Sequence, residues 1–206
     1  AQEKWKRVYL KERAAFCSAA VDAMLAMRDE IVPELAWQMG RPIRYGAGEL
    51  RGFEERARHM IGIADGALAN HVPAAKEGFT RFISREPWGV VFTIAPWNYP
   101  YLTAVNSVIP ALMAGNAVVL KHASHTLLVA ERFQKAFDKA GLPKGVFQHL
   151  VMNHAQATDV ISGGLVNMVC FTGSVAGGRA MEQAAAGRFI NVGLELGGKD
   201  PAYVRH

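Results

Sequence analysis

A glutamate directly before a pair of glycines, Glu195, has a type and position that could support chemistry. The β-forming stretch that begins at Asn191 leads into Glu195 and continues as Leu196, Gly197 and Gly198, where the backbone can turn sharply and approach a ligand closely. A carboxylate in this position indicates either a ligand site or a solvated turn, because most charged side chains are simply exposed.

A threonine, a glycine and a serine, Thr172 to Ser174, separate a strand-like segment from the helix-like stretch 175–185. This order puts Gly173 and the Ser174 hydroxyl at a helix amino terminus, where free N–H groups and the helix dipole favour a phosphate. Ser174 could also simply cap its helix, and both roles are compatible. The Gly-x-Gly-x-x-Gly fingerprint is absent after the first strand, so a dinucleotide would not bind in the standard Rossmann manner.

Two other segments carry polar residues of useful types. Lys121, directly after an apolar run, indicates either the protein surface or, beside a phosphate site, a contact to ribose hydroxyls or to an extra phosphate. Trp97 and Asn98 lie between Pro96 and Pro100, so this loop is stiff. It could hold an amide donor where negative charge develops, or it could be a structural asparagine turn.

Five short apolar segments must position these residues. The predicted strands are Val90–Ile94, Ala117–Leu120, Val146–Val151, Met168–Phe171 and Phe189–Leu194. Because they alternate with helical patterns, we predict an α/β fold with a doubly wound parallel sheet of about five strands and flanking helices. In such a sheet ligands bind beyond the carboxyl ends of the strands, and four of the five predicted ends carry the polar residues.

Amphipathic patterns predict helices over 10–24, 50–64 and 126–140. A further short helix is predicted over 30–39, with Pro33 in its first turn, and is stopped by Gly40 and Pro42. Residues 77–86 have no helical stripe and contain β-forming residues, so we predict an extended β-arm between Pro73 and Pro87.

Composition excludes several classes of protein. The chain has 206 residues, is 50% apolar and has a net charge of +5 that is not gathered into a basic patch, so no nucleic acid partner is expected. The longest apolar tract, 108–120, is interrupted by a proline and a glycine and cannot span a bilayer. Cys17 and Cys170 lie in apolar runs, which indicates core packing in a reducing, cytoplasmic compartment. We expect no metal site.

In combination, these motifs resemble the aldehyde dehydrogenase superfamily. The matching pieces, in the family's order and spacing, are Pro96–Asn98, the Lys121 segment, Phe171–Ser174 and Glu195–Lys199. The resemblance covers the chain from the first helix to Pro201. In that family a cysteine thiolate attacks an aldehyde, the thiohemiacetal gives hydride to NAD(P)+, and water hydrolyses the thioester to a carboxylic acid.

The resemblance assigns roles to individual residues. The amide of Asn98 would donate to the oxyanion, and Glu195 would activate the hydrolytic water. The residues implied in cofactor binding are Lys121 at the adenosine ribose, Gly173 and Ser174 at the pyrophosphate, and Ile94, Pro96, Trp97, Leu196 and Gly197 along the cleft.

The coenzyme is expected to be NAD or NADP, with NADP favoured. Many NAD-preferring members have a glutamate three residues after the strand-end lysine, and this chain has Ser124 there. A carboxylate would repel a 2'-phosphate, whereas a serine can donate to it, with Lys121 and His122 adding positive charge. After Val151, the run Met-Asn-His-Ala-Gln replaces the glycine-rich turn common in the family.

By resemblance, residues 1–69 and 88–198 form a dinucleotide-binding domain, 70–87 an oligomerisation β-arm, and 199–206 the start of a catalytic domain. A homodimer or homotetramer is expected. The family's catalytic cysteine lies a few dozen residues beyond the position of Glu195, where neither Cys17 nor Cys170 falls. The chain is therefore expected to be an inactive portion of a longer enzyme or a natural truncation.

Two alternatives differ in activity. One is a non-catalytic nucleotide-binding or interaction module that kept the fold. The other is an enzyme that transfers the acyl group to CoA, which is disfavoured because a base such as Glu195 argues for an acid as the product. The particular aldehyde is not identified, since no Lys or Arg placed to hold a substrate carboxylate can be recognised.

Overall fold

The structure is a computed structural model that describes residues 1–198 and 200–205. Within these residues the helices are α1 (Gln2–Trp5), α2 (Leu10–Leu25), α3 (Arg28–Met39), α4 (Ile43–Leu68), α5 (Pro100–Met113), α6 (Leu127–Lys139), α7 (His154–Ser162) and α8 (Val175–Ala185). The strands are β1 (Val90–Ala95), β2 (Ala117–His122), β3 (Phe147–His149), β4 (Met168–Gly173) and β5 (Asn191–Leu196). None of the described helices is long and apolar enough to cross a membrane.

The five strands form one parallel sheet in the order β3-β2-β1-β4-β5. The chain builds outward from β1 through β2 to β3 and then crosses to the other side of β1 for β4 and β5. The strand order therefore reverses between β1 and β4, which is where a crevice opens in sheets of this kind. The prediction of a parallel α/β sheet with five strands is confirmed.

Helices cover both faces of the sheet because the central strand alternates its side chains. Val91 and Ala95 of β1 join a core with α2, α4, α5 and α6, whereas Phe92 and Ile94 join a second core with α7 and α8. The intervening Thr93 is buried, and its hydroxyl oxygen accepts a hydrogen bond from Ser107 of α5 at 3.1 Å. The doubly wound arrangement follows from this alternation.

Several strand boundaries differ from the predicted ones. Four strands, β1, β2, β4 and β5, extend beyond their predicted ends. As a result, Lys121, Thr172 and Glu195 lie within strands rather than after them. The strands are longer than predicted because backbone pairing with the neighbouring strand continues past the last apolar residue. Ile94 pairs with Lys121 in this way, and Thr172 pairs with Glu195. The third strand is shorter than predicted, and the fifth starts two residues later than Phe189, which is fully exposed with a φ of 55°.

Besides the four-residue α1, two helices, α5 and α7, were not predicted. The first of these two packs between α4 and the sheet, with buried residues such as Tyr101, Ala104 and Val108 at helical spacing and the exposed Asn106 on its other side. Its two prolines, Pro100 and Pro110, are typical of breaks in a helix and hid this pattern. The second begins with a capping box in which Asn153 and Gln156 exchange hydrogen bonds. That pattern is present in the sequence and could have predicted the helix.

The predicted β-arm is not confirmed. Residues 70–87 contain two isolated antiparallel bridges, His71 with Ile83 and Lys76 with Phe79. The described residues of this segment form no continuous strand. Much of the segment is exposed, including the side chains of Phe79 and Phe82. Its role in oligomerisation stays a prediction.

Candidate functional site

A crevice of about 1160 Å³ lies at the carboxyl ends of the strands, at the point where the strand order reverses. The structure brings all the predicted site residues to its wall. These are Ile94, Pro96, Trp97, Asn98, Lys121, Ser124, Gly173, Ser174, Glu195, Leu196 and Gly197. They come from four different strands or the loops that follow them, so the sheet is what places them together.

The amino terminus of α8 forms one side of the crevice. Ser174 is the N-cap residue, and its Oγ accepts a hydrogen bond from the N–H of Gly177 at 3.1 Å. The helix cannot satisfy the N–H groups of its first residues, Val175 and Ala176, from within. Both groups, together with the Ser174 hydroxyl hydrogen, are therefore available to an anion.

Glycines allow α8 to approach the sheet closely at this point. A Cβ atom at Gly177 would lie 2.5 Å from the ring of Phe171, and one at Gly178 would lie 2.7 Å from the side chain of Leu196. Larger residues would push the helix away from β4 and β5. The small residues thus keep the helix terminus beside the strand ends.

Lys121 presents a buried cation on the opposite side of the crevice. It is 6% exposed, and its Nζ donates to the carbonyl oxygen of His122 at 3.2 Å. Burial lowers the pKa of this ammonium group. Because no carboxylate pairs with Lys121 among the described residues, its remaining N–H groups are available for a ligand.

His122 does not supply the positive charge that was expected of it. Its ring is 2% exposed, and burial lowers its pKa to about 4, so it is neutral at pH 7. The carbonyl of Pro100 can only accept, so Nε2 donates to it at 3.2 Å, while Nδ1 accepts from the N–H of Ala123 at 3.1 Å. His122 therefore ties β2 to the start of α5, and it does not line the crevice.

His125 is the histidine that lines this end of the crevice, beside Ser124. It is exposed, and its ring stands edge-on to Trp97 with the ring centres 6.5 Å apart. His125 was not predicted as a site residue, although it directly follows Ser124 in the 3-10 turn over 124–126.

Asn98 lies in the exposed loop between β1 and α5. Its side-chain oxygen accepts the N–H of Tyr99 at 3.0 Å, which leaves the NH₂ end without a partner among the described residues. Its main-chain oxygen accepts from Nη2 of Arg41 at 2.6 Å. The loop thus presents an amide donor without a partner among the described residues, and Arg41 binds its main chain.

Glu195 lies on β5 at the other side of the crevice from Asn98. Its side chain is exposed and makes no ion pair within 1–198 and 200–205. An unpaired carboxylate at the mouth of a crevice can accept a proton from water.

Neither cysteine belongs to the crevice. Cys17 is fully buried in α2, where burial raises its pKa to about 12, and burial also raises the pKa of the half-buried Cys170. A thiol with a raised pKa is a poor nucleophile at neutral pH. The described part of the chain holds no cluster of three or more His, Cys, Asp or Glu that could bind a metal.

The start of α7 supplies crevice residues that sequence analysis did not assign. They are Met152, Asn153 and His154, from the run 152–156 after Val151, and Ala157 and Thr158, which follow it on α7. The helix brings them to the crevice, so recognising its capping box would have indicated them.

The chemistry of this crevice suits a dinucleotide. It combines a helix amino terminus and a hydroxyl for phosphate, an ammonium group from Lys121 for ribose or phosphate oxygens, and apolar surface from Ile94, Phe171 and Leu196 for flat rings.

Comparison with known proteins identifies the family. The model of the aldehyde dehydrogenase family matches residues 1–206. A probable NADP(+) succinate-semialdehyde dehydrogenase of Synechocystis sp. is 31% identical over 202 residues, which are 98% of this chain and 44% of that relative.

Solved structures agree with this match. An NAD-dependent aldehyde dehydrogenase from Sinorhizobium meliloti has a TM-score of 0.90 and 33% identity, with 96% of this chain and 39% of that one covered. A succinic semialdehyde dehydrogenase from Streptococcus pyogenes in complex with NADP+ has a TM-score of 0.89 and 28% identity, with 97% and 44% covered. The chain thus spans less than half the length of these relatives, and it belongs to the aldehyde dehydrogenase family.

Proposed function

We propose that this chain forms the coenzyme-binding part of an enzyme that oxidises an aldehyde to a carboxylic acid with NAD or NADP. The observation that carries the proposal is the convergence of an anion-binding helix terminus, a buried lysine, an amide donor and a carboxylate on one crevice. Family membership supports the same conclusion. The division into a coenzyme domain, an arm and the start of a catalytic domain belongs to this proposal.

The coenzyme would be held by residues at both ends of the crevice. The N–H groups of Val175 and Ala176 and the hydroxyl of Ser174 would bind the pyrophosphate, and Lys121 would bind the adenosine ribose. Gly173, Ile94, Pro96, Trp97, Leu196 and Gly197 would form the walls. When bound, the coenzyme supplies the hydride acceptor for the oxidation.

Asn98 and Glu195 would act on the substrate. The free NH₂ end of Asn98 would donate to the aldehyde oxygen as negative charge develops, and Glu195 would take a proton from the water that releases the acid. The covalent route also needs a thiolate, which neither Cys17 nor Cys170 provides.

Substitutions in the full-length protein test these roles. We expect Glu195→Gln to allow one round of NAD(P)H formation per site while acid release slows by about 100-fold, because general base catalysis contributes about 10²–10⁴-fold. Asn98→Ala should lower the rate of the first round itself. A Glu195→Gln enzyme that turns over at the parent rate would contradict the role of Glu195.

We propose that NADP is the preferred coenzyme. Ser124 leaves the ribose end of the crevice without a carboxylate, and Lys121 and the exposed His125 lie beside it. Ser124→Glu should shift the ratio of kcat/KM for NADP over NAD towards NAD by at least about tenfold, since a like charge would face the 2'-phosphate. A parent enzyme already tenfold better with NAD would contradict the preference.

A panel of aldehydes on the full-length protein would identify the substrate. Semialdehydes come first because two of the relatives above are named for succinate semialdehyde. The acid and the CoA thioester should both be sought as products, since CoA transfer is the competing chemistry.

The competing proposal is a non-catalytic nucleotide-binding module. Such a module needs no thiol at the crevice, and the described lining residues include none. Coenzyme binding by the full-length protein without oxidation of any aldehyde would support it.

A homodimer or homotetramer is proposed as well, formed through residues 70–87, where Val72, Phe79, Phe82 and Ile83 are exposed. Light scattering of the full-length protein with and without Phe82→Asp tests this assembly. A cytoplasmic location remains a proposal.

A further inference from the structure

An ion pair outside the crevice, between Arg41 and Glu49, contacts the loop that carries Asn98. Neither partner lines the crevice. The side chain of Glu49, on α4, is fully buried, and that of Arg41, just before α4, is 12% exposed. Burying two charges is costly unless their remaining hydrogen-bonding groups also find partners. The further hydrogen bonds of Glu49 and Arg41 therefore indicate what this pair does.

Glu49 holds the first turn of α5. Its Oε1 accepts the N–H of Tyr101 at 3.0 Å and that of Leu102 at 3.1 Å. A helix cannot satisfy these N–H groups itself, and its N-cap residue, Tyr99, makes no side-chain cap. A carboxylate from another helix therefore caps α5 and fixes where the preceding loop must end.

Arg41 holds the loop itself. It pairs through Nη1 with Oε2 of Glu49, donates through Nη2 to the main-chain oxygen of Asn98 at 2.6 Å, and lies over the ring of Tyr99 at 4.7 Å. The N–H of Tyr99 in turn donates to the side-chain oxygen of Asn98. The main-chain oxygen and the side-chain oxygen of Asn98 thus both accept hydrogen bonds. Among the described residues, only its NH₂ group has no partner and can face a ligand.

We propose that Arg41 and Glu49 are positioning residues that hold the Asn98 amide with its NH₂ group towards the reacting carbonyl. The inference rests on the proposed function of Asn98 as the donor to the aldehyde oxygen. A donor held in place stabilises developing charge without having to reorganise. Displacement of a catalytic group by about 1 Å can cost about 100-fold in rate.

The test uses the full-length enzyme. Arg41→Ala should lower kcat by about 10- to 100-fold and leave the Kd of NADP within about 3-fold, because the pair touches the loop and not the coenzyme wall. Arg44→Ala is the matched control. Arg44 is an exposed arginine on α4 that also lies over a tyrosine, Tyr45 at 4.8 Å, and it makes no hydrogen bond or ion pair with the described residues of the loop. Its kcat should equal that of the parent.

A double-mutant cycle separates positioning from general damage to the fold. If Arg41 acts through Asn98, Arg41→Ala should have no further effect in an Asn98→Ala background. Additive losses would overturn the proposal. Arg41→Lys keeps a cation for Glu49 but has no second nitrogen for Asn98, so it should show the same loss of kcat and carries the test if Arg41→Ala fails to fold.

A crystal structure of the Arg41→Lys protein gives an answer that does not depend on activity. The Asn98 amide should be displaced or turned relative to the parent, and an unchanged amide would overturn the proposal. Failure of the parent enzyme to oxidise any aldehyde would refute the proposed function instead, and the crystal structure would still decide whether Arg41 positions Asn98.

Discussion

His122 shows how a titratable residue beside a ligand crevice can be purely structural. Nε2 bonds to the carbonyl of Pro100, Nδ1 lies 2.9 Å from the hydroxyl oxygen of Thr126 and accepts the N–H of Ala123, and burial disfavours the charged ring. The neutral form is therefore built into the junction between β2 and α5. Its neighbour Lys121 differs because its ammonium group retains free donors at the crevice.

The lowered pKa of His122 predicts an acid-sensitive fold. The unfolded chain binds a proton at this residue near pH 6.5, whereas the folded chain does so only near about pH 4, so stability falls as the pH drops from 7 towards 4. The shift corresponds to a loss on the order of 3 kcal/mol. Urea unfolding at pH 7.5 and 4.5 measures it.

His122→Gln should remove that part of the pH dependence, while His125→Gln, at an exposed ring, should leave it unchanged. Equal pH dependence in the parent and the His122→Gln protein would contradict the assignment. These residue-scale roles follow from burial, which the sequence around positions 121–125 does not reveal.

At the scale of elements, α5 depends on a cap from α4. Glu49→Ala would leave Arg41 without its partner and two N–H groups of α5 unsatisfied. We expect a loss of about 3–5 kcal/mol in the free energy of unfolding. Glu54→Ala on the same helix breaks only an exposed pair with Arg58 and should cost less than about 1 kcal/mol. Similar losses in both proteins, measured in urea, would show that the buried cap is unimportant.

The amino terminus of α8 has two possible roles that one substitution can separate. Ser174→Asp keeps a capping oxygen for the N–H of Gly177 but puts a negative charge where a phosphate would lie. We expect stability within about 0.5 kcal/mol of the parent and at least about tenfold weaker coenzyme binding by calorimetry.

Ser174→Ala is the companion variant, and it should lose about 1 kcal/mol of stability. If the Ser174→Asp protein binds the coenzyme as tightly as the parent does, Ser174 only caps its helix and does not contact the coenzyme.

At the scale of the whole molecule, coenzyme binding and catalysis should be separable. Residues 1–206 alone should bind NADPH, since the crevice walls lie within them, but should not oxidise aldehydes, since both thiols have raised pKa values outside the crevice. Fluorescence titration and an aldehyde assay on the same sample measure the two properties. Aldehyde-dependent NADPH formation that Cys17→Ala with Cys170→Ala abolishes would contradict this expectation.

Much of the architecture could be predicted because local patterns carry it. Apolar runs marked the five strands, and amphipathic stripes marked α2, α4 and α6. Helix α5 was not recognised although its buried residues Tyr101, Ala104 and Val108 follow helical spacing, because a proline at its start and another inside it are typical of breaks in a helix. The strand ends extended to Lys121 and Glu195 because a neighbouring strand, and not local composition, determines how far a ladder continues.

The sequence by itself indicated an α/β fold with five parallel strands, because apolar runs and amphipathic stripes are local patterns. Its motifs, together with their resemblance to a known family, named the eleven residues that meet at the carboxyl ends of the strands. The tertiary structure decided which charged and titratable side chains lie at the crevice and which are neutral. It neutralised His122 by burial, left His125 at the crevice wall, and brought Arg41 and Glu49 behind Asn98. Those outcomes depend on contacts between residues as much as 57 positions apart, where desolvation and pairing are set by the fold.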